Sequence, residues 1–350
     1  MITVPLDVQI VVIDWVYRLS QHSDIDYSTL CACALVCRAW TTPAQRLLFR
    51  RVSSHHAIAE LLDTLRNAPH LAKHVRFIEV GLDTTQDETQ LAILELCTNL
   101  DGISIYVFDK ADALDATVEA RLHAAQLQPV FLELDAYHNI VESIVRLWPS
   151  ICTLSVYIYD QDLEFLEEFS EPLPEIPETV QSMSIIGDQV GYLAKANFPP
   201  LRELELNGPS WRNTSVCEWL HEAGVLPHLQ SLRIVGELPP HEVLMQLMHL
   251  ENLVFTELPV GEAVISLPPT LIRVAYLRRR YRLSIEHAKD AKPFLAALRT
   301  LPKLQQISVT PRSSAHELTM FNEVCRERGI ELEMYQSADH FWGPQNVDWI

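Results

Sequence analysis

Three of the chain's seven cysteines fall within the stretch LCACALVCRAW, Leu30 to Trp40. Thiols at that density could hold a metal, form a redox switch or fill one face of a helix. A structural zinc needs four ligands, usually a Cys-x-x-Cys pair with partners returning from elsewhere. Cys31 and Cys33 are two apart, which points them to different sides of a helix, and His22, His55 and His56 stand in no finger-like spacing. Free cysteine is among the most buried residue types. Cys33 and Cys37 therefore read as small hydrophobes sharing a helix face with Leu30, with Trp40 a turn beyond.

No G-x-S-x-G elbow, phosphate-binding glycine loop or H-E-x-x-H occurs, and ten glycines leave few phosphate cradles. The carboxylates are abundant, and no pair of them can be singled out as an acid and a base. The expectation is a protein that is not an enzyme, with no catalytic, cofactor-binding or metal-ligating residue and no cofactor. One basic run stands out, Arg273, Arg278, Arg279, Arg280 and Arg282 with Tyr276 and Tyr281 interleaved. It reads as a solvated loop paired with carboxylates, or as a clamp for an acidic or phosphorylated peptide.

The elements that must position any such surface follow from composition. The chain has 350 residues, 48% of them hydrophobic, and a mean hydropathy of +0.05, enough to bury a sizeable core. Its 27 Lys and Arg against 46 Asp and Glu give a net charge of −19, a field that repels nucleic acid and anionic membranes. The excess acidity lies beyond Ser54, because residues 1–56 hold five Arg and four Asp. The apolar N-terminus lacks a basic leader and carries Asp7 and Asp14, so secretion is not expected. No uncharged run approaches the ~20 apolar residues of a membrane span. An odd number of cysteines without a regular framework reads as reduced thiols in a cytoplasmic or nuclear protein.

Three short helices are expected at the start. The first runs from Pro5, with Val8, Val11, Val12, Trp15 and Leu19 along one side and Ile10, Ile13 and Val16 on the other. A helix apolar nearly all round must be covered by more than its own domain. The second, capped by Ser28 or Thr29, extends through Trp40. The third has Thr42 as cap and Pro43 at the first helical position, and runs on through Val52.

These residues resemble an F-box, the adaptor-binding module of SCF-type ubiquitin ligases. The likeness rests on Pro5 with Asp7 two residues on, the apolar helix through Ile10 and Ile13, Leu30, the run Leu35-Val36-Cys37-Arg38 followed by Trp40, and the closing Leu48-Phe49-Arg50. Val4 stands where leucine is usual, Asp7 replaces the common glutamate, and the loop before Leu30 is long. The resemblance covers residues 4–52. It implies that Pro5, Leu6, Ile10, Ile13, Leu30, Cys33, Leu35, Val36, Cys37 and Trp40 dock a Skp-family adaptor protein, which hangs the chain on a cullin–RING ligase.

Beyond Ser54 a phrase recurs, apolar-x-x-apolar-x-apolar. Clear copies are LRELEL from Leu201, LQSLRI from Leu229, LENLVF from Leu250 and LQQISV from Leu304. Looser ones begin at Val75, Leu100, Ile151, Val180 and Leu271, with FLEL near Leu132 and IELEM near Leu332. The starts from Ile151 to Leu304 step by 21 to 33 residues, which suits leucine-rich repeats. Helices are expected between them in HAIAELLDTLRNA, DETQLAILELC, LDATVEARLHAAQ, NTSVCEWLHEAG and AKPFLAALRTL.

The fold class read from the sequence is thus α/β: a three-helix F-box-like domain over 1–54, then a leucine-rich-repeat-like solenoid over 55–350. The solenoid would carry a parallel sheet on its concave side, helices outside and an aromatic cap from Phe341, Trp342 and Trp349. The proline- and glutamate-rich SEPLPEIPETV reads as an extended connector. Residues beside the strand apolars would face a protein target: Tyr106, Glu133, Asp135, Tyr157, Glu203, Glu205, Arg233 and Arg273. The expected function is a substrate receptor that joins adaptor to target, as a monomer apart from the adaptor, with neither nucleic acid nor membrane as partner. The alternative is a repeat scaffold whose first helices only cap the solenoid.

Overall fold

The structure is a computed structural model that describes residues 5–20, 27–53, 57–82, 87–107, 114–136, 138–158, 176–186, 198–207, 221, 224–236, 238–258, 267–277, 292–310, 313 and 315–334. Two compact units divide the chain between Ile151 and Cys152. The described elements are α-helices, a short 3-10 helix (Leu226–His228) and parallel strands.

The first unit opens with α1 (Leu6–Ser20), α2 (Tyr27–Val36) and α3 (Arg38–Leu48). Pro5 starts α1, its carbonyl accepting from the Gln9 N–H at 3.1 Å. The second helix is shorter than its sequence suggests. Cys37 is extended (φ −163°, ψ 164°), so α2 stops at Val36 and Trp40 belongs to α3. Thr41 lies across the break, its hydroxyl donating to the carbonyls of Ala34 at 2.9 Å and Cys37 at 3.2 Å. Those carbonyls would otherwise be left over at a helix end. Pro43 consequently sits inside α3 rather than at its first position.

Strand β1 (Arg51–Ser53) follows α3 directly, where the sequence reading kept Val52 in a helix. After it come α4 (Ile58–Asn67), α5 (Pro69–Ala72), β2 (Phe77–Leu82), α6 (Asp87–Leu96), β3 (Gly102–Val107), α7 (Ala116–Ala124), β4 (Phe131–Ala136) and α8 (His138–Leu147). Strands β1 to β4 pair in parallel and in chain order, which requires a crossover at every step. The predicted boundary at 54/55 falls just after β1, which joins this sheet.

The second unit holds β5 (Thr153–Ile158), β6 (Ser182–Ile186), β7 (Glu203–Asn207), β8 (Ser231–Val235), α9 (His241–Leu244), β9 (Asn252–Phe255), β10 (Arg273–Tyr276), α10 (Lys292–Thr300), β11 (Gln306–Val309), α11 (Ala315–Arg328) and β12 (Glu331–Met334). These eight strands also pair in parallel and in chain order. Helices first, then parallel strands with helical crossovers, is an arrangement compatible with a repeat solenoid. Of the expected helices, NTSVCEWLHEAG lies largely outside the described residues, as does SEPLPEIPETV up to Glu175.

Period-2 alternation sets the core. Ile78, Ile103 and Leu132 form one buried row, and Val80, Ile105 and Leu134 the next. Helix α6 packs on β2 and α8 on β4, where Ile140, Val141, Ile144, Val145 and Trp148 are all buried. Each fully buried aliphatic side chain contributes about 1.5–3 kcal/mol. In the second unit the equivalent rows end in an aromatic cluster. Phe255 lies 5.7 Å from Tyr276 and 5.2 Å from Phe294, and Tyr276 stacks on Phe321 at 5.8 Å. The Tyr276 hydroxyl donates to the Glu317 carboxylate of α11 at 3.0 Å, both groups being buried.

A backbone device starts the strands in register. The carbonyl of the residue just before a strand accepts two consecutive N–H groups from the next repeat. Arg50 does so for Arg76 and Phe77, Arg76 for Asp101 and Gly102, Asp101 for Val130 and Phe131, and the pattern continues from Cys152 through Ile272. Side chains add links of the same kind. Asn99 donates to the Lys73 carbonyl at 3.1 Å, Ser150 to Pro129 at 3.1 Å and Thr270 to Leu250 at 2.7 Å. Each donor stands three residues before its strand.

Candidate interaction surfaces

The three-helix module has a small core of its own: Ile13, Tyr17, Leu30, Cys33, Ala44 and Leu47, with Ala34, Trp40 and Leu48 packed around it. Trp40 donates from Nε1 to Gln9 Oε1 at 2.6 Å, tying α3 to α1. The Arg50 guanidinium lies 5.9 Å from the Tyr17 ring centre. Two sides of α1 follow from this packing. Gln9, Ile13 and Tyr17, one turn apart, face α2 and α3. Val8, Val11, Val12 and Trp15 recur at i, i+3, i+4 and i+7 on the opposite side and stand open, Trp15 at 59% exposure.

The residues expected to dock an adaptor divide accordingly. Ile10, Leu35, Val36, Cys37 and Pro5 are exposed, Leu35 at 86% and Val36 at 63%. Ile13, Leu30 and Cys33 are closed inside the module, and Trp40 is half-buried. The Leu6 side chain lies outside the described residues. Sequence reasoning left Val8, Val11, Val12 and Trp15 out of the docking set, although their one-sided spacing was the signal that could have placed them there.

The cysteines divide in the same way. Cys31 and Cys37 are exposed, while burial pushes the Cys97 thiol up to about 12 and the Cys325 thiol to about 11. At those positions the nucleophilic thiolate is suppressed. No group of His, Cys, Asp and Glu that could hold a metal occurs among the described residues. Nor is any described helix long and apolar enough to cross a membrane.

The residues expected to meet a target lie on the strand face opposite the buried rows. In the first unit Glu79, Ser104 and Glu133 are in register across β2, β3 and β4, and Tyr106 pairs with Asp135. Arg51 reaches Glu79 at 2.7 Å and stacks on Phe77 at 4.5 Å. Burial raises the Glu133 carboxyl above its ordinary range, against the influence of the nearby Ser104 hydroxyl and the pull of Arg51, and Glu79 and Asp135 push it further the same way. Burial likewise raises the Tyr106 phenol, and the charges of Glu133, Glu79 and Asp135 add to it.

In the second unit Glu203 and Arg273 lie in one row of this face, and Glu205 and Arg233 in the next. The last two are paired at 3.4 Å. Tyr157 is partly exposed on β5. Arg278 to Arg282 and the aromatic stretch with Phe341, Trp342 and Trp349 lie outside the described residues. No family model matches the sequence, and no curated protein matches it.

Proposed function

We propose that the chain is a non-catalytic substrate-receptor subunit of an SCF-type cullin–RING ubiquitin ligase, built as an F-box followed by degenerate leucine-rich repeats. In this reading α1 to α3 bind a Skp-family adaptor and the open strand faces bind a protein target. Chemistry then belongs to other subunits. The mechanism is positional: holding adaptor and target on one chain raises the effective concentration of the target's lysines near the charged ubiquitin conjugate.

One observation carries the reading. A module with a completed core of its own still leaves Val8, Ile10, Val11, Val12 and Trp15 of α1, with Leu35 and Val36 of α2, facing water. Burying each against a partner contributes up to about 1.5–3 kcal/mol before the entropic cost of association. Surfaces of this kind mark interaction sites. The Val36-Cys37-Arg38-x-Trp40 core adds the resemblance, and the extended Cys37 ends α2 at Val36, leaving Leu35 and Val36 at a helix end.

The capping alternative draws on a different fact: α3 runs into β1, which occupies the edge of the sheet beside β2. Co-purification separates the two. The full chain should capture a purified Skp-family adaptor, and Ile10→Asp and Val36→Asp should each abolish capture while leaving the unfolding midpoint unchanged. Capture that survives both substitutions removes the ligase reading.

A further inference from the structure

The receptor reading leaves the target's chemistry open, and the strand face of the first unit bears on it. On β2, Phe77 and Glu79 stand two apart on one face and together hold a guanidinium: that of Arg51, stacked on the ring at 4.5 Å and bonded to the carboxylate at 2.7 Å. The same pair recurs on β4 as Phe131 and Glu133. Register sets Gly102 beside Phe131 where Arg51 stands beside Phe77. A side chain at 102 would force its neighbours to shift, since its Cβ would meet the Phe77 ring at 2.7 Å. The second carboxylate thus has a glycine where the first has its arginine. Among the described residues no Arg or Lys lies within ion-pair distance of Glu133.

A second observation points the same way. Ser104 lies between Glu79 and Glu133 in register and is fully buried. Its hydroxyl is near enough to Tyr106 and Glu133 to influence both, yet meets hydrogen-bond geometry with neither. A buried hydroxyl with no hydrogen bond of good geometry, beside a carboxylate with no cation at ion-pair distance, leaves acceptor positions that an incoming N–H donor fills. Tyr106 offers an aromatic face at the same place, and Asp135 a further carboxylate across from it.

We infer that Glu133, with Ser104, Tyr106 and Asp135, receives an arginine side chain from a segment of the target protein. The planar guanidinium stacks on the Tyr106 ring as Arg51 does on Phe77, and forks its donors between carboxylate and hydroxyl. Lysine lacks both the plane and the fork. The assignment rests on the strand face being the target surface, and is independent of the adaptor.

The test is fluorescence anisotropy of the full chain with three short labelled peptides, repeats of Gly-Arg, Gly-Lys and Gly-citrulline. The arginine peptide should bind, the lysine peptide more weakly, and the uncharged citrulline peptide at least about tenfold more weakly, as losing a charge-assisted bond implies. Glu133→Gln should weaken arginine binding about tenfold, while Glu60→Gln, the same charge change at an exposed position of α4, should change it less than about twofold. If Glu133→Gln fails to fold, Asp135→Asn takes its place, with the same loss expected. Equal losses from the β4 and α4 substitutions, equal binding of lysine or citrulline, or no binding at all would overturn the inference. Adaptor capture with the same preparations keeps the two readings apart. A chain that captures adaptor and ignores the peptides sinks only the arginine site, and the converse sinks only the ligase reading.

Discussion

Trp15 and Trp148 belong to the same compact unit and are used in opposite ways. Trp148, just past α8, is 1% exposed, covered together with Ile140, Val141, Ile144 and Val145. Trp15, in an equally apolar helix, is 59% exposed with Val8, Val11 and Val12 beside it. The amount of apolar side chain does not explain the contrast; the neighbours do. Helix α8 has β4 beneath it and α7 beside it, whereas α1 meets α2 and α3 along one side and leaves the other free. In the sheet of this unit each buried row is continued by the next strand, as Ile78, Ile103 and Leu132 are, and α8 covers β4. In the three-helix module this side of α1 is left open by every described element.

The largest break in that comparison is Trp148→Ala, expected to cost about 3–5 kcal/mol in urea unfolding, as large-to-small core changes do. Trp15→Ala should stay within about 0.5 kcal/mol and affect only partner binding. Equal effects of the two would erase the distinction. Gly102→Val comes next, at about 1–3 kcal/mol, because its Cβ meets Phe77 at 2.7 Å and Phe131 at 3.1 Å. Tyr276→Phe removes the hydroxyl bonded to Glu317 and should cost about 1 kcal/mol by the same unfolding measurement.

The smallest effect is one of pH. Burial raises the folded-state pKa of Glu133, so in the window from the ordinary glutamate range up to that raised value the folded chain binds more protons than the unfolded one. Stability contributed by this group therefore falls as pH rises through the window. Glu133→Gln should remove that slope and be relatively more stable above it, measured as unfolding midpoint against pH. A wild-type midpoint that climbs relative to Glu133→Gln across this window would reverse the sign and contradict the burial.

Much of the strand pattern was legible because the recurrent phrase is a buried parallel strand written out, as LRELEL in β7 and LQSLRI in β8. Strand β1 was not, since Arg51-Val52-Ser53 is three residues long and mostly polar. Helix α8 was legible in principle from Ile140, Val141, Ile144 and Val145, a clean helical spacing that was passed over between two strand phrases. The break at Cys37 carries neither Gly nor Pro, so nothing local announces it. Pro43 was placed correctly as a helix residue and wrongly as the first one, because α3 begins earlier at Arg38. The paired N–H contacts to the carbonyl before each strand are backbone alone and leave no mark on residue type. In the three-helix module, the two sides of α1 were visible from spacing. Which side would close on α3 depended on tertiary packing, so Ile13 was expected to be open and Trp15 was not singled out.

The most direct test is amide hydrogen exchange on the full chain, with and without a purified Skp-family adaptor. The account predicts that exchange slows in residues 6–20 and 27–37 on adaptor addition, while β2 to β4 are unchanged. Unaltered exchange throughout, or protection confined to the strands, would contradict it.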